Sequence, residues 1–277
     1  MKVLYVSDLD GTLLTGKVRT TEYTNKVIND LTGQGMLFSY ATARSYVTAS
    51  AVTEGLCARI PIITYNGAMI LENETYRVLL KNGFGEGEKQ EILSGLLEAS
   101  VWPIVYAHQG GRETFSYVLE RCSPAQAAFL ALRRGDIRET PVKTAEELGR
   151  GDVFYFTCIG ERETLEPLYL RFKDQYHCIF QKDIYSGHQW LEIMAKTVSK
   201  AHAVLQLKAR LGADYVVAFG DGKNDVEMFE IADECYAVEN AVPELKAIAT
   251  GVIGDNDSDS VAKWLQQRFM CGEREGT

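Results

Sequence analysis

Apolar residues in this chain fall into two rhythms. Val3, Leu4, Tyr5 and Val6 form an unbroken apolar run, and similar runs recur in "MLFSYATAR" (36–44), "IPIITYNGA" (60–68) and "YVVAFGDG" (215–222). An apolar run without alternation predicts a strand covered on both faces, as in a parallel sheet. Stretches of helical period follow these runs at 21–33, 199–212 and 224–233; "ECYAVEN" (234–240) predicts a short strand, with mostly helix beyond it. Strand and helix in alternation predict an α/β fold with a Rossmann-like, doubly wound parallel sheet.

Between the two halves the rhythm changes. Helices are predicted at 86–99, 124–134 and 164–176. Strands are predicted at "WPIVYAHQ", "ETFSYVLE", "VFYFTCI" and "CIFQKDI", and the strand "QWLEIM" (189–194) is expected to lead back into the first domain. Alternating Tyr and Phe with hairpin-like adjacency suit an inserted α+β domain with an open sheet. The expected division is 1–82 plus 188–277 for the core and 83–187 for the insert, hinged at Gly83, Gly85 and Gly87.

Composition narrows the classes. A net charge of −9 opposes nonspecific nucleic-acid binding, which needs a basic stripe. The six cysteines lie scattered without a C-x-x-C pair, so zinc spacing is absent. No segment approaches the ~20 apolar residues of a membrane span, and a cytoplasmic location is the expectation.

Chemistry in such a sheet collects at the carboxyl ends of the strands. Those ends supply Asp8 and Asp10, then Thr42, then Asn66 and Gly67, then Asp221 with Asn224 and Asp225 behind it; Lys200 opens the helix after the insert. Two carboxylates ~4 Å apart repel by about 4 kcal/mol at an effective dielectric of ~20, so four of them ask for a cation. Only hard oxygen ligands are on offer, which favours Mg²⁺ over Ca²⁺ or Mn²⁺. Thr42 and Lys200 would supply a hydroxyl and a positive charge to phosphate oxygens, which makes this a phosphoryl-transfer site. Residues i and i+2 of an extended segment point the same way, so Asp8 and Asp10 would face one centre. One can attack phosphorus as a nucleophile, and the other can protonate the leaving oxygen and later take a proton from water.

"DLDGTLL", "ATAR", the "SK" before a helix and "GDGKND", in that order, resemble the four motifs of the haloacid dehalogenase-like (HAD) phosphohydrolases. The insertion point resembles the Cof-type branch, with its large cap between the second and third motifs, and "YNGA" and "AVENA" extend the likeness along the whole chain. The resemblance implies Asp8 as nucleophile and Asp10 as acid/base. It implies Thr42 and Lys200 as phosphate-binding groups, and Mg²⁺ held by Asp8, the Asp10 carbonyl and Asp221. Asn224 and Asp225 would support the metal or Lys200, while Arg44, Asn66 and Gly67 would line the substrate pocket. Two positions depart from the pattern: Ala43 and Ala201 stand where glycines are usual.

The implied activity is Mg²⁺-dependent hydrolysis of a small soluble phosphate monoester of the sugar phosphate, pyridoxal phosphate or flavin mononucleotide class. The alternatives are a phosphotransferase or mutase on the same aspartyl phosphate, or a ligand-binding regulator without catalysis. No nucleic-acid or membrane partner is expected, and the chain would act as a monomer or homodimer. Blander readings apply elsewhere. An EF-hand at the N-terminus fails, because its Gly and Glu positions hold Leu13 and Arg19. The acidic run 255–260 reads as a helix-capping loop with Ser258 or Asp259 as N-cap, and His188 and Trp190 read as packing at the domain junction.

Overall fold

The computed structural model of the chain describes residues 1–57, 60–182 and 187–272. It divides into two compact units, 1–81 with 199–277 and 82–198.

In the first unit, β1 (Val3–Ser7) leads through α1 (Glu22–Gly33) to β2 (Leu37–Tyr40), then α2 (Tyr46–Val52) and β3 (Ile62–Thr64). β4 (Met69–Leu71) and β5 (Val78–Lys81) complete a small antiparallel sheet with β3. In the second unit the order is α3 (Glu86–Glu98), β6 (Ile104–Gln109), β7 (Arg112–Tyr117), α4 (Pro124–Ala131), β8 (Glu139–Pro141), α5 (Ala145–Leu148), β9 (Asp152–Gly160), α6 (Arg162–Phe172), β10 (His177–Lys182) and β11 (Gln189–Met194). The chain returns to the first unit with α7 (Lys200–Leu211), β12 (Tyr215–Gly220), α8 (Val226–Ile231), β13 (Glu234–Ala237), α9 (Pro243–Ile248), β14 (Gly251–Val252) and α10 (Ser260–Gly272).

The main sheet has the order β14-β13-β12-β1-β2 with every pairing parallel. Its unbroken apolar runs follow from burial on both sides. Tyr5 and Phe219 turn toward Trp264 of α10, while their alternate neighbours Leu4, Val6 and Ala218 point the other way and are equally buried. Helices therefore cover both faces, as the sequence pattern predicts.

The second unit carries a six-stranded sheet, β10-β11-β9-β6-β7-β8, antiparallel except where β7 meets β8. One face buries Val105, Phe156, Cys158, Leu191 and Ile193 against Ile92 and Leu96 of α3 and Leu165, Leu168 and Phe172 of α6. On the other face Ile104, Phe115 and Tyr117 cluster with Leu130 of α4. The strand "QWLEIM" belongs to this sheet, paired with β9 and β10. The return boundary thus lies after Val198 rather than at 187, because Leu191 and Ile193 are part of the insert's core. Trp190 packs edge-on against Phe129 inside the second unit. The last residues of the run "CIFQKDI" lie outside the described residues.

Candidate active site

Sheet register sets the site. Ser7, the last residue of β1, pairs with Phe219, and the Asp8 amide donates to the Phe219 carbonyl at 2.9 Å. Asp8 and the turn after β12 therefore leave the sheet side by side. The Ala41 amide donates to the Ser7 carbonyl at 2.9 Å and the Thr42 amide to the Ile63 carbonyl at 3.0 Å, so the turns after β2 and β3 arrive at the same edge.

Asp8, Asp221 and Asp225 each bring a carboxylate oxygen within 4.8 Å of the others. Lys200 is almost wholly buried; its Nζ donates to Asp8 Oδ1 and, at 2.7 Å, to Asp225 Oδ1. The other oxygen of Asp225 accepts from the backbone amides of Asp221 (3.1 Å) and Gly222 (3.0 Å). Both Asp225 oxygens are thus engaged, and it braces Lys200 and the Asp221 turn. Thr12 Oγ1 donates to Asp221 Oδ1 at 3.1 Å, so its hydroxyl holds that carboxylate. Among the described residues, Asp8 Oδ2 and Asp221 Oδ2 receive no donor, which leaves one oxygen on each for a cation.

The electrostatics point the same way. Burial pushes the Asp8 carboxyl well up, Lys200 opposes it, and Asp225 and Asp221 push it further. Asp221 rises to about 6, chiefly through burial and then Asp225, against the Thr12 hydroxyl and Lys200. Burial alone would lower Lys200, but Asp225 and Asp8 hold it above its usual range. Two buried carboxylates and a half-buried one with a single ammonium are short of positive charge, and an all-oxygen set of this kind suits a hard divalent cation.

Asp10 and Arg44 form a two-pronged pair: Nε donates to Oδ2 at 2.7 Å and Nη2 to Oδ1 at 2.6 Å. Arg44, expected at the substrate pocket, is thereby joined to the other predicted catalytic carboxylate. Thr42 is fully buried, its hydroxyl accepting the Arg44 amide at 3.1 Å. Asn66 stands in the left-handed region (φ 52°), its amide donating to the Thr42 carbonyl at 2.9 Å. Its Oδ1 is buried without a donor among the described residues. Gly67 (φ 102°) also seats the next helix: a Cβ there would collide with the carbonyl of Ser199, the N-cap of Lys200's helix. Gly11 (φ 79°) is similar, since a Cβ would collide with the Asp221 carboxylate. Asn224 is exposed beside this turn, Ala43 is exposed, and Ala201 is buried in the first turn of α7.

Asn240, within "AVENA", carries no role in the sequence reading, although it follows β13 as the other site residues follow their strands. Its Nδ2 donates to the Gly11 carbonyl at 2.8 Å, and its Oδ1 accepts the Asn256 amide at 3.1 Å. Asn256 in turn donates to the Leu14 carbonyl at 2.8 Å. The acidic run docks on this framework: Asp259 accepts from Thr21 (2.5 Å) and Thr24 (2.7 Å), and Asp257 from the Gly16 amide at 2.7 Å. Asp259 immediately precedes α10, where a cap would stand, but its Oδ1 is taken by the Thr21 and Thr24 hydroxyls.

A doubly wound sheet with this charged carboxyl edge defines an α/β enzyme of the phosphoryl-transfer class. The chain belongs to the haloacid dehalogenase-like hydrolases, whose family model matches residues 5–265, and it is a Cof-type phosphatase of that superfamily. It is 25% identical to the 5-amino-6-(5-phospho-D-ribitylamino)uracil phosphatase YwtE of Bacillus subtilis, covering 94% of this chain and 96% of that one. The HMP-PP phosphatase of Serratia proteamaculans is 26% identical, over 94% and 92% of the two chains. The crystal structure of TM0651 from Thermotoga maritima superposes with a TM-score of 0.78 at 25% identity, covering 97% of both chains. No helix among the described residues is long and apolar enough to cross a membrane.

Proposed function

We propose that this phosphatase hydrolyses a small phosphate monoester through an aspartyl phosphate on Asp8, with Mg²⁺ as its cation. The observation that carries the reading is the buried Asp8–Lys200–Asp225 chain beside Asp221, in which Asp8 and Asp221 each keep an oxygen without a donor among the described residues. Asp8, Asp221 and the Asp10 carbonyl would hold the cation, which supplies positive charge to the transferring phosphoryl group and to the carboxylates around it.

The chain's own groups divide the work. Lys200 orients the Asp8 carboxylate and offers its ammonium to a phosphate oxygen, and Thr42 and the amides near it offer further donors. An Asp8 oxygen attacks phosphorus as the bond to the leaving oxygen breaks, and Asp10 gives that oxygen its proton. Asp10 then takes a proton from the water that attacks the aspartyl phosphate, which restores Asp8 and releases inorganic phosphate. Asn66 Oδ1, buried without a donor, suits a hydroxyl or amine of the leaving group. The Bacillus and Serratia relatives are named as phosphatases of small phosphorylated metabolites, which supports that substrate class. The 82–198 unit is the proposed specificity element, a cap that excludes water and selects the leaving group.

The test is phosphate release across a panel of small phosphate esters, with mass spectrometry of protein quenched during turnover. A phosphoryl group on the peptide carrying Asp8, lost with turnover in Asp8→Asn, is the expected result. Turnover that survives in Asp8→Asn overturns the covalent route.

A further inference from the structure

We infer that Arg44 is a positioning residue that orients the Asp10 carboxylate for its two proton transfers. The inference rests on the reading of Asp10 as the acid/base group and adds to it a residue that sets the geometry of the step.

Asp10 sits in an awkward place for a group that must meet a leaving oxygen. Its backbone is extended (φ −73°, ψ 119°) and runs straight into Gly11 with positive φ. Its side chain is 48% exposed. No backbone amide or hydroxyl among the described residues donates to its carboxylate; Arg44 alone does, at 2.7 and 2.6 Å. A half-exposed aspartate without such a partner would sample several rotamers. The guanidinium fork fixes both oxygens and the plane of the carboxylate, a restraint that a single ammonium does not impose. Exposed ion pairs add little to stability, so the pair's consequence is geometric.

Arg44 is itself held where such a task requires it. Its amide donates to Thr42 Oγ1 at 3.1 Å, and its carbonyl accepts the Tyr65 amide at 3.0 Å. Ser45, next in sequence, caps α2 by accepting the Thr48 amide. The backbone of Arg44 thus belongs to the network that fixes Thr42 and Asn66. During turnover one guanidinium N–H keeps its oxygen while the other oxygen is free to carry the proton. That proton passes to the leaving oxygen as the phosphorus–oxygen bond breaks, and an equivalent proton returns from the attacking water.

The experiment uses the full chain with Mg²⁺ and measures single-turnover phosphorylation by p-nitrophenyl phosphate and by glycerol phosphate. An aryl leaving group departs with little protonation, whereas an alkyl one needs it. Asp10→Asn should slow glycerol phosphate by roughly 10²-fold or more and the aryl ester far less. Arg44→Ala should show the same split, Arg44→Lys should recover part of the alkyl rate, and the double variant should be no slower than Asp10→Asn alone. If Arg44→Ala only raises KM, or slows both esters equally while Asp10→Asn shows the split, the positioning role is overturned and Arg44 is a substrate contact. If Asp10→Asn itself slows both esters equally, the acid/base reading fails and the inference fails with it.

Discussion

A carboxyl whose pKa rises on folding withdraws stability as it ionises, and Asp221 and Glu192 both do so. Asp221 moves from 3.8 to about 6 through burial and Asp225. Across that window the folded state holds more protons than the unfolded one, so the metal-free protein loses stability as pH rises from about 4 to 6. A cation on the same oxygens competes with those protons, so Mg²⁺ affinity should rise across the upper part of this window by up to about tenfold per pH unit, then level off. Calorimetric titration from pH 5 to 8 measures this, and a flat profile removes Asp221 from the ligand set. Glu192 on β11 reaches about 7, through burial and against the Tyr155 hydroxyl. Its stability contribution is likewise lost as pH rises from about 4.5 to 7. Thermal melts should therefore show Glu192→Gln gaining on the native chain between pH 5 and 8, by up to about 3 kcal/mol. A gap that stays constant with pH would mean the glutamate titrates normally. Asp221 was legible in the sequence because it ends a strand beside a glycine. Glu192 was not, because one glutamate in an alternating apolar strand reads as a solvated position.

Elements were legible where their period had room to show. The twelve residues of α7 and the six of β12 fall where the pattern predicts them. β4 and β8 have three residues each, too few for a period, and went unseen along with the hairpin from β4 to β5. Gly67 shows what an element boundary can conceal: the sequence marks it as a pocket residue and gives no sign that it also seats α7. Gly67→Ala meets both a left-handed φ and the Ser199 carbonyl, so it should cost about 1–3 kcal/mol. It should also shift the first turn of α7 and with it the Lys200 ammonium, so turnover should fall even well below the melting temperature. Chemical denaturation and kcat measured together check this. A stability loss with unchanged kcat would show that Lys200 is held from Asp8 and Asp225 alone.

At the scale of the whole molecule, the two-unit plan was legible from the change of rhythm, but the exit from the insert was not. Residues 189–194 look like any apolar strand, and only pairing shows which sheet owns them. The consequence can be tested by excision. Removing 83–187 would leave β11 attached to the core unit without β9 and β10, and Leu191 and Ile193 would lose the core that buries them. An unpaired apolar strand is an aggregation template. Removing 82–198, with Lys81 bridged to Ser199, cuts where the compact units divide and leaves every main-sheet pairing intact. The first excision should aggregate on expression. The second should stay soluble, bind Mg²⁺ through Asp8 and Asp221, and hydrolyse activated esters slowly and with little preference among leaving groups. Light scattering, metal titration and the substrate panel distinguish the two. If the 82–198 excision folds and keeps the full chain's ranking of substrates, discrimination resides in core residues such as Asn66, and the second unit is not the specificity element.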